Sequence, residues 1–320
     1  MASIQPSQDE LPDFRTYLGS AYESVLNNID PIAAKRLAFG AARLAAAVRK
    51  AVDLKVDVRA PGRAAERWLA ASVGAVDDPL RRAAVAAVAL GSTPEADIIP
   101  TDIMALYPTM HARLARFLVC ARAYDGGQFS ADIALAARAY APLGPLTIAV
   151  PTSKAPSMSL PRIKRAGAMA RRHWQDRDLG AAIDWLAAWR ARPWVELHVD
   201  IRNLGEFNAE GFVRGYHRLA DLMALRPDLP GVYGASWLYQ PELAQISPNL
   251  AFARETAEAG GGRVVRLRPD PAQTAFAIAR SPTRRRLYLS GVYRPVCYGM
   301  FWERRALMDW SRSARRGFAA

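Results

Sequence analysis

Trp194–Asn208 reads WVELHVDIRNLGEFN, and the way its residues alternate decides how the chain is read. Successive side chains of a β-strand point to opposite faces. Val195, Leu197, Val199 and Ile201 fall on one face, and Trp194, Glu196, His198, Asp200 and Arg202 on the other. The first set is what a sheet buries against helices. The second is a row of acid, imidazole, acid and guanidinium, with neighbours roughly 7 Å apart. Buried charges must be paired or stay wet, so a strand face spent in this way points to a place where something polar is bound or converted.

Downstream, Asn208 is a natural N-cap for a helix over Ala209–Leu225, with Phe212, Tyr216, Leu219 and Met223 on its apolar side. Gly231–Tyr239 reads as a strand. Ser247-Pro248 is expected to cap a helix Asn249–Ala259 that ends at Gly260-Gly261-Gly262. Arg263–Arg268 follows as a strand, and Asp270-Pro271 opens a helix over Ala272–Arg280. Ser281-Pro282 starts another helix through about Leu289. Val292–Trp302 reads as a strand in which Pro295 argues for an edge or a bulge, and the basic amphipathic helix Glu303–Arg316 comes last. Strands alternating with helices predict an α/β fold, a mixed sheet flanked by helices.

Upstream the chain reads as helices, so the expected organisation is a helical region over 1–141, a proline-rich linker or lid over 142–160, and an α/β domain over 161–320. Asp30-Pro31 and Asp78-Pro79 each supply a cap and a first-turn proline. Leu37, Ala41, Leu44, Ala47 and Val48 form a helical stripe, and Gly91 marks a stop. Pro108 breaks a pattern that resumes over Met110–Tyr124 and ends at Gly126-Gly127. Ser130 is expected to cap a short helix through Tyr140, and His111 to lie at the surface or its boundary. Leu146–Val150 is a candidate strand. Pro161–Arg190 is read as helical in two pieces, with Trp185 and Trp189 as core residues.

The composition, 51% hydrophobic and 23% charged over 320 residues, is that of a globular chain rather than a disordered one. Cys120 and Cys297 lie in apolar surroundings and read as two buried thiols of a reducing compartment. The amino-terminal MASIQPSQDELPDF lacks the order of a signal peptide, and no apolar run has the length of a span. A soluble cytoplasmic protein without a membrane partner is therefore expected. A formal charge of +13 invites a nucleic-acid reading, but the basic residues are spread along the chain, Arg36 and Arg316 included, instead of forming one tail. An anionic small molecule is the preferred partner.

Three groups of residues carry candidate chemistry. His198 flanked by Glu196 and Asp200 would have its imidazolium stabilised, and Arg202 could hold a carboxylate or phosphate in a two-pronged grip. The same acids and imidazole could instead serve a metal. The two-histidine, one-carboxylate iron site that an H-x-D pair suggests would need a second histidine downstream, however, and none follows His217. His217 itself, one turn before Asp221, reads as half of a surface ion pair. In the second group, Trp237 and Tyr239 would share a strand face near the amides after Ser247, a donor set for an anion. In the third, Arg284, Arg285 and Arg286 occupy a helix's first turns, where the macrodipole disfavours cations and an anionic partner would offset the cost.

The succession of strand, capped helix, glycine turn, strand, helix and strand over Gly231–Trp302 resembles the back half of a GNAT-type acyltransferase. The resemblance implies acyl-coenzyme A as donor and an amine as acceptor. It lacks the family's glycine-containing pyrophosphate loop, since Gln240–Leu250 has no glycine. The expected function is an enzyme acting on a small anionic substrate. His198 would be its acid–base group, Glu196 and Asp200 the orienting partners, and Arg202, Trp237, Tyr239, Ser247 and Arg284 the substrate contacts. A non-catalytic basic protein that binds nucleic acid or a protein is the alternative.

Overall fold

A computed structural model describes residues 23–25, 27, 29–54, 59–74, 76–92, 99–119, 126–150, 194–200, 203–267 and 270–318. Cys120, Trp185, Trp189, Ile201 and Arg202 fall outside them, as do the segment 151–193 and the helices expected there. The chain divides into two compact units. The first comprises Met1–Ala96, Thr101–Pro142 and Val150–Ser153, and the second Asp97–Pro100, Leu143–Ala149 and Lys154–Ala320.

The first unit is helical: α1 (Pro31–Leu54), α2 (Ala60–Ser72), α3 (Asp78–Gly91), α4 (Thr101–Met104), α5 (Tyr107–Leu118) and α6 (Gly126–Ala136), followed by the short strand β1 (Tyr140–Pro142). Asp30 starts α1, its carboxylate accepting from the amides of Ile32 at 2.8 Å and Ala33 at 3.0 Å. Leu37, Ala41, Leu44, Ala45 and Val48 line the buried face of α1. In α3 every residue from Ala83 to Ala89 is buried, because a helix made of alanine and valine can be enclosed on all sides at close range.

Four local expectations change here. The cap of α3 is Asp77, which accepts from Leu80 N at 2.9 Å; Asp78 is already helical and pairs with Arg81. Pro108 sits in the first turn of α5, where a missing amide costs nothing. Gly126-Gly127 opens α6 instead of ending a helix. Ser130 lies buried within α6, where its hydroxyl accepts from Gly62 N at 3.0 Å, and Tyr140 begins a strand.

The second unit holds β2 (Leu146–Ala149), β3 (Val195–Val199), α7 (Ala209–Leu225), β4 (Gly231–Ser236), α8 (Leu243–Ile246), α9 (Phe252–Ala259), β5 (Arg263–Arg266), α10 (Pro271–Ala279), α11 (Pro282–Leu289), β6 (Tyr298–Glu303) and α12 (Arg304–Phe318). Its strands lie in the order β2-β3-β4-β6-β5. Only β3 and β4 run parallel, with Glu196 opposite Tyr233; the other neighbours in that order are antiparallel. This is the expected α/β arrangement, a mixed sheet flanked by helices. Val195 and Leu197 are buried as the alternation predicts, while Val199 is half-buried.

The helix α7 crosses from β3 to β4 as expected. Asn208 Oδ1 accepts from Gly211 N at 2.9 Å, and Phe212, Tyr216, Leu219 and Met223 are fully buried. A β-carbon at Gly211 would stand 1.9 Å from the Glu206 carbonyl, so the turn before the helix requires glycine there. The core on this side is aromatic, with Phe212 on Phe252 at 4.9 Å, Tyr216 on Trp302 at 5.1 Å and Trp302 on Trp310 at 5.2 Å. The expected strand over Val292–Trp302 shortens to β6. Pro295 precedes it, and β6 lies between β4 and β5 rather than at an edge. Among the described residues no helix is long and apolar enough to cross a membrane.

Candidate functional site

Because β3 and β4 are parallel neighbours, their carboxyl ends open on the same side of the sheet, where ligands of open α/β sheets are held. Glu196 and His198 are half-buried on β3, His198 opposite Thr147 of β2. Asp200 is buried just past the strand; its amide donates to the Pro145 carbonyl at 2.9 Å and its carbonyl accepts from Asn203 N at 3.1 Å. Among the described residues no three histidine, cysteine, aspartate or glutamate side chains converge as a metal site would require.

At the end of β4 the chain does not continue as a strand. The Ser236 hydroxyl accepts from Leu238 N at 3.2 Å and turns Trp237–Tyr239 into a 3₁₀ turn, with Trp237 N donating to Gln273 Oε1 at 3.2 Å. Trp237 and Tyr239 therefore do not share a strand face. Tyr239 goes into the core and hydrogen-bonds Tyr216, and burial raises the pKa of both phenols. Trp237 lies under the Arg284 guanidinium, 4.8 Å from its carbon. Ser247 is not a helix cap: Pro248–Leu250 is a 3₁₀ turn, α9 begins only at Phe252, and Ser247 Oγ instead accepts from Arg284 Nη1 at 3.0 Å.

Arg284 is the centre of this cluster. The α11 cap, Ser281 Oγ accepting from Arg284 N at 3.2 Å, sets the backbone so that the side chain turns inward, while Arg285 and Arg286 stay exposed. Its Nε donates to the Ala277 carbonyl at 2.6 Å, and the residue is only 8% exposed. Burial lowers its pKa, with Tyr293 acting in the opposite direction. Among the described residues no carboxylate pairs with it, and Nη2 meets no protein acceptor. Among the described residues the result is a cation held in place by a carbonyl, a hydroxyl and an indole, without a countercharge.

Sequence reasoning missed the residues behind it. Gln240 Oε1 accepts from Tyr293 OH at 3.2 Å and Val296 N at 3.1 Å, and its amide donates to the Arg294 carbonyl at 3.1 Å. Burial pushes the Tyr293 phenol up to about 12 and the Cys297 thiol up to about 12, so both stay protonated near neutral pH. The only sequence signal for Gln240 and Tyr293 was their place beside the turn residues. Trp237, Ser247 and Arg284 are thus brought together, whereas Glu196, His198 and Asp200 form a separate row. Among the described residues no hydrogen bond, ion pair or ring contact joins the two groups.

Neither of two other histidines behaves as the sequence suggested. His217 stacks on Trp310 at 4.9 Å and its Nδ1 lies 2.7 Å from Ser311 Oγ, while Asp221 takes Arg315 at 2.6 Å. His111, in the first unit, is fully buried beside Tyr107.

No family model matches this chain, nor does any curated protein or solved structure. A guanidinium already oriented through Nε and Nη1, with Nη2 meeting no acceptor among the described residues, is suited to a carboxylate or phosphate oxygen. The indole beneath it keeps that charge poorly hydrated, which strengthens whatever anion it meets.

Proposed function

We propose that the second unit is an enzyme domain that acts on a small anionic substrate at the carboxyl ends of β3 and β4. The observation that carries this reading is Arg284: a buried cation with no acid beside it among the described residues costs stability, and an anionic ligand would offset that cost. Trp237 and Ser247 would frame the ligand, and Tyr239 would back the turn that carries Trp237. His198 is the proposed acid–base group, oriented by Glu196 and Asp200, with Arg202 as a second anion contact. Acyl transfer from an acyl-coenzyme A donor is the reaction implied by the likeness to GNAT-type acyltransferases and rests on that likeness alone.

The test is calorimetric titration of the full chain with inorganic pyrophosphate and with acetyl-coenzyme A. Arg284→Lys keeps the charge but loses the planar fork, and Trp237→Phe keeps an aromatic floor, so together they separate binding from folding. The expected result is binding by the wild type that Arg284→Lys weakens at least roughly tenfold, an energy of about 1.4 kcal/mol. Unchanged binding in a folded Arg284→Lys protein would refute the assignment. The alternative, a basic module for nucleic acid, predicts instead that oligonucleotide binds and falls away steeply with salt, independently of Arg284.

A further inference from the structure

A second feature of this unit lies outside the Arg284 cluster, in the α10–α11 hairpin and the loop after it. Phe276 is 63% exposed, Leu289 77% and Val292 73%, a concentration of uncovered apolar side chains within seventeen residues of chain. Between the helices runs a groove of about 570 Å³ lined by Ala279, Ser281, Pro282, Arg285, Arg286 and Leu289. Arg280, Arg285, Arg286 and Arg294 of the same stretch are all exposed. The sequence has no aspartate or glutamate between Asp270 and Glu303.

Several surface arginines elsewhere in the unit differ, although the exposed Arg266 and Arg316 do not. Arg214 pairs with Glu210, Arg254 with Glu258, Arg312 with Asp309 and Arg315 with Asp221. Among the described residues Arg280, Arg285, Arg286 and Arg294 have no acidic partner.

We propose that this face docks on an anionic lipid bilayer, with Phe276, Leu289 and Val292 entering the interface and the four arginines meeting lipid phosphates. Complementarity of charge is the first argument, since thirty-two residues with arginines and no acid fit a negative surface. Chemistry is the second. Nucleic acid would use the arginines but would leave the protruding Phe276, Leu289 and Val292 in water. A fluid interface takes up apolar side chains spread over two helices and a loop without needing a complementary shape. The combination of shallow apolar insertion with arginines is the two-signal anchoring that holds peripheral proteins. It requires no membrane-crossing helix, and it is independent of the anion reading at Arg284, which faces inward from the same helix.

The experiment is co-sedimentation of the full chain with vesicles of phosphatidylcholine alone and of phosphatidylcholine mixed with phosphatidylglycerol. Three proteins are compared: wild type, Arg285→Glu/Arg286→Glu and Phe276→Ser/Leu289→Ser. All altered side chains are solvent-exposed, and thermal unfolding checks that each protein folds. Wild type is expected to bind the mixed vesicles and not the neutral ones, and each double variant to bind at least roughly tenfold more weakly. No binding to mixed vesicles overturns the proposal. So does loss in the arginine variant alone, which is adsorption without insertion. A dimer seen by analytical ultracentrifugation without lipid and abolished by Phe276→Ser/Leu289→Ser would assign the face to a second copy and overturn it as well. Oligonucleotide binding that needs Arg285 and Arg286, with no binding to mixed vesicles, would do the same in favour of nucleic acid.

Discussion

His111 should make the first unit acid-labile in a way that can be measured against its own variant. It sits in α5 with no exposed surface, its ring 5.7 Å from that of Tyr107. Burial first, and the charge of Arg138 second, lower its pKa from 6.5 to about 3. In the unfolded chain the imidazole takes a proton near its ordinary pKa, whereas in the folded unit it does not. The unfolded state therefore binds more protons between these two values. Stability is unaffected above about pH 7, falls as pH drops through 6.5, and levels off only near 3. The slope approaches about 1.4 kcal/mol per pH unit, so the loss from this one group reaches about 3 kcal/mol by pH 4.5. That is a large part of the 5–15 kcal/mol typical of a domain. The assay is urea unfolding of wild type and His111→Leu at about pH 7.5, 5.5 and 4.5. The variant is expected to lose packing against Tyr107 at every pH yet to show a shallower decline on acidification. Carboxylates titrate in both proteins and cancel in the comparison. Parallel pH dependences would refute the reasoning.

Two further outcomes follow from close packing and from burial. Gly260→Ala would place a β-carbon 2.0 Å from the Trp302 ring, whose Nε1 already donates to the Gly260 carbonyl at 2.8 Å. Thermal or urea unfolding should show a loss of at least about 1–3 kcal/mol, and a neutral effect would mean the edge-on Trp302–Trp310 contact is looser than the structure shows. The Cys297 thiol, buried and pushed up to about 12, should react slowly with iodoacetamide in the native protein from neutral pH to mildly alkaline conditions. Rapid alkylation of the folded chain with an ordinary thiol midpoint would contradict that environment.

Where an element is decided by a side chain two or three residues from the backbone it bonds, the sequence was enough. Asp30, Asn208, Asp270 and Ser281 each cap the helix that follows, and α7 begins and ends where its cap and apolar stripe require. The alternation of Val195 and Leu197 with Glu196 and His198 likewise placed a strand, because a period of two is a local property of extended chain.

What needed the tertiary structure were interactions closed over long sequence distances. Ser247 carries every local mark of an N-cap, yet its oxygen is taken by Arg284, thirty-seven residues away. His111 resembles a boundary residue until the surrounding unit removes it from water. The insertion of β6 between β4 and β5, which leaves Pro295 outside the sheet, depends on which strand edges meet. So does the cluster of Trp237, Ser247 and Arg284, three residues drawn from a turn, a loop and a helix. Local bonds compete only with water and are settled by near neighbours. Whether a charge is buried, and what faces it there, depends on every segment packed around it.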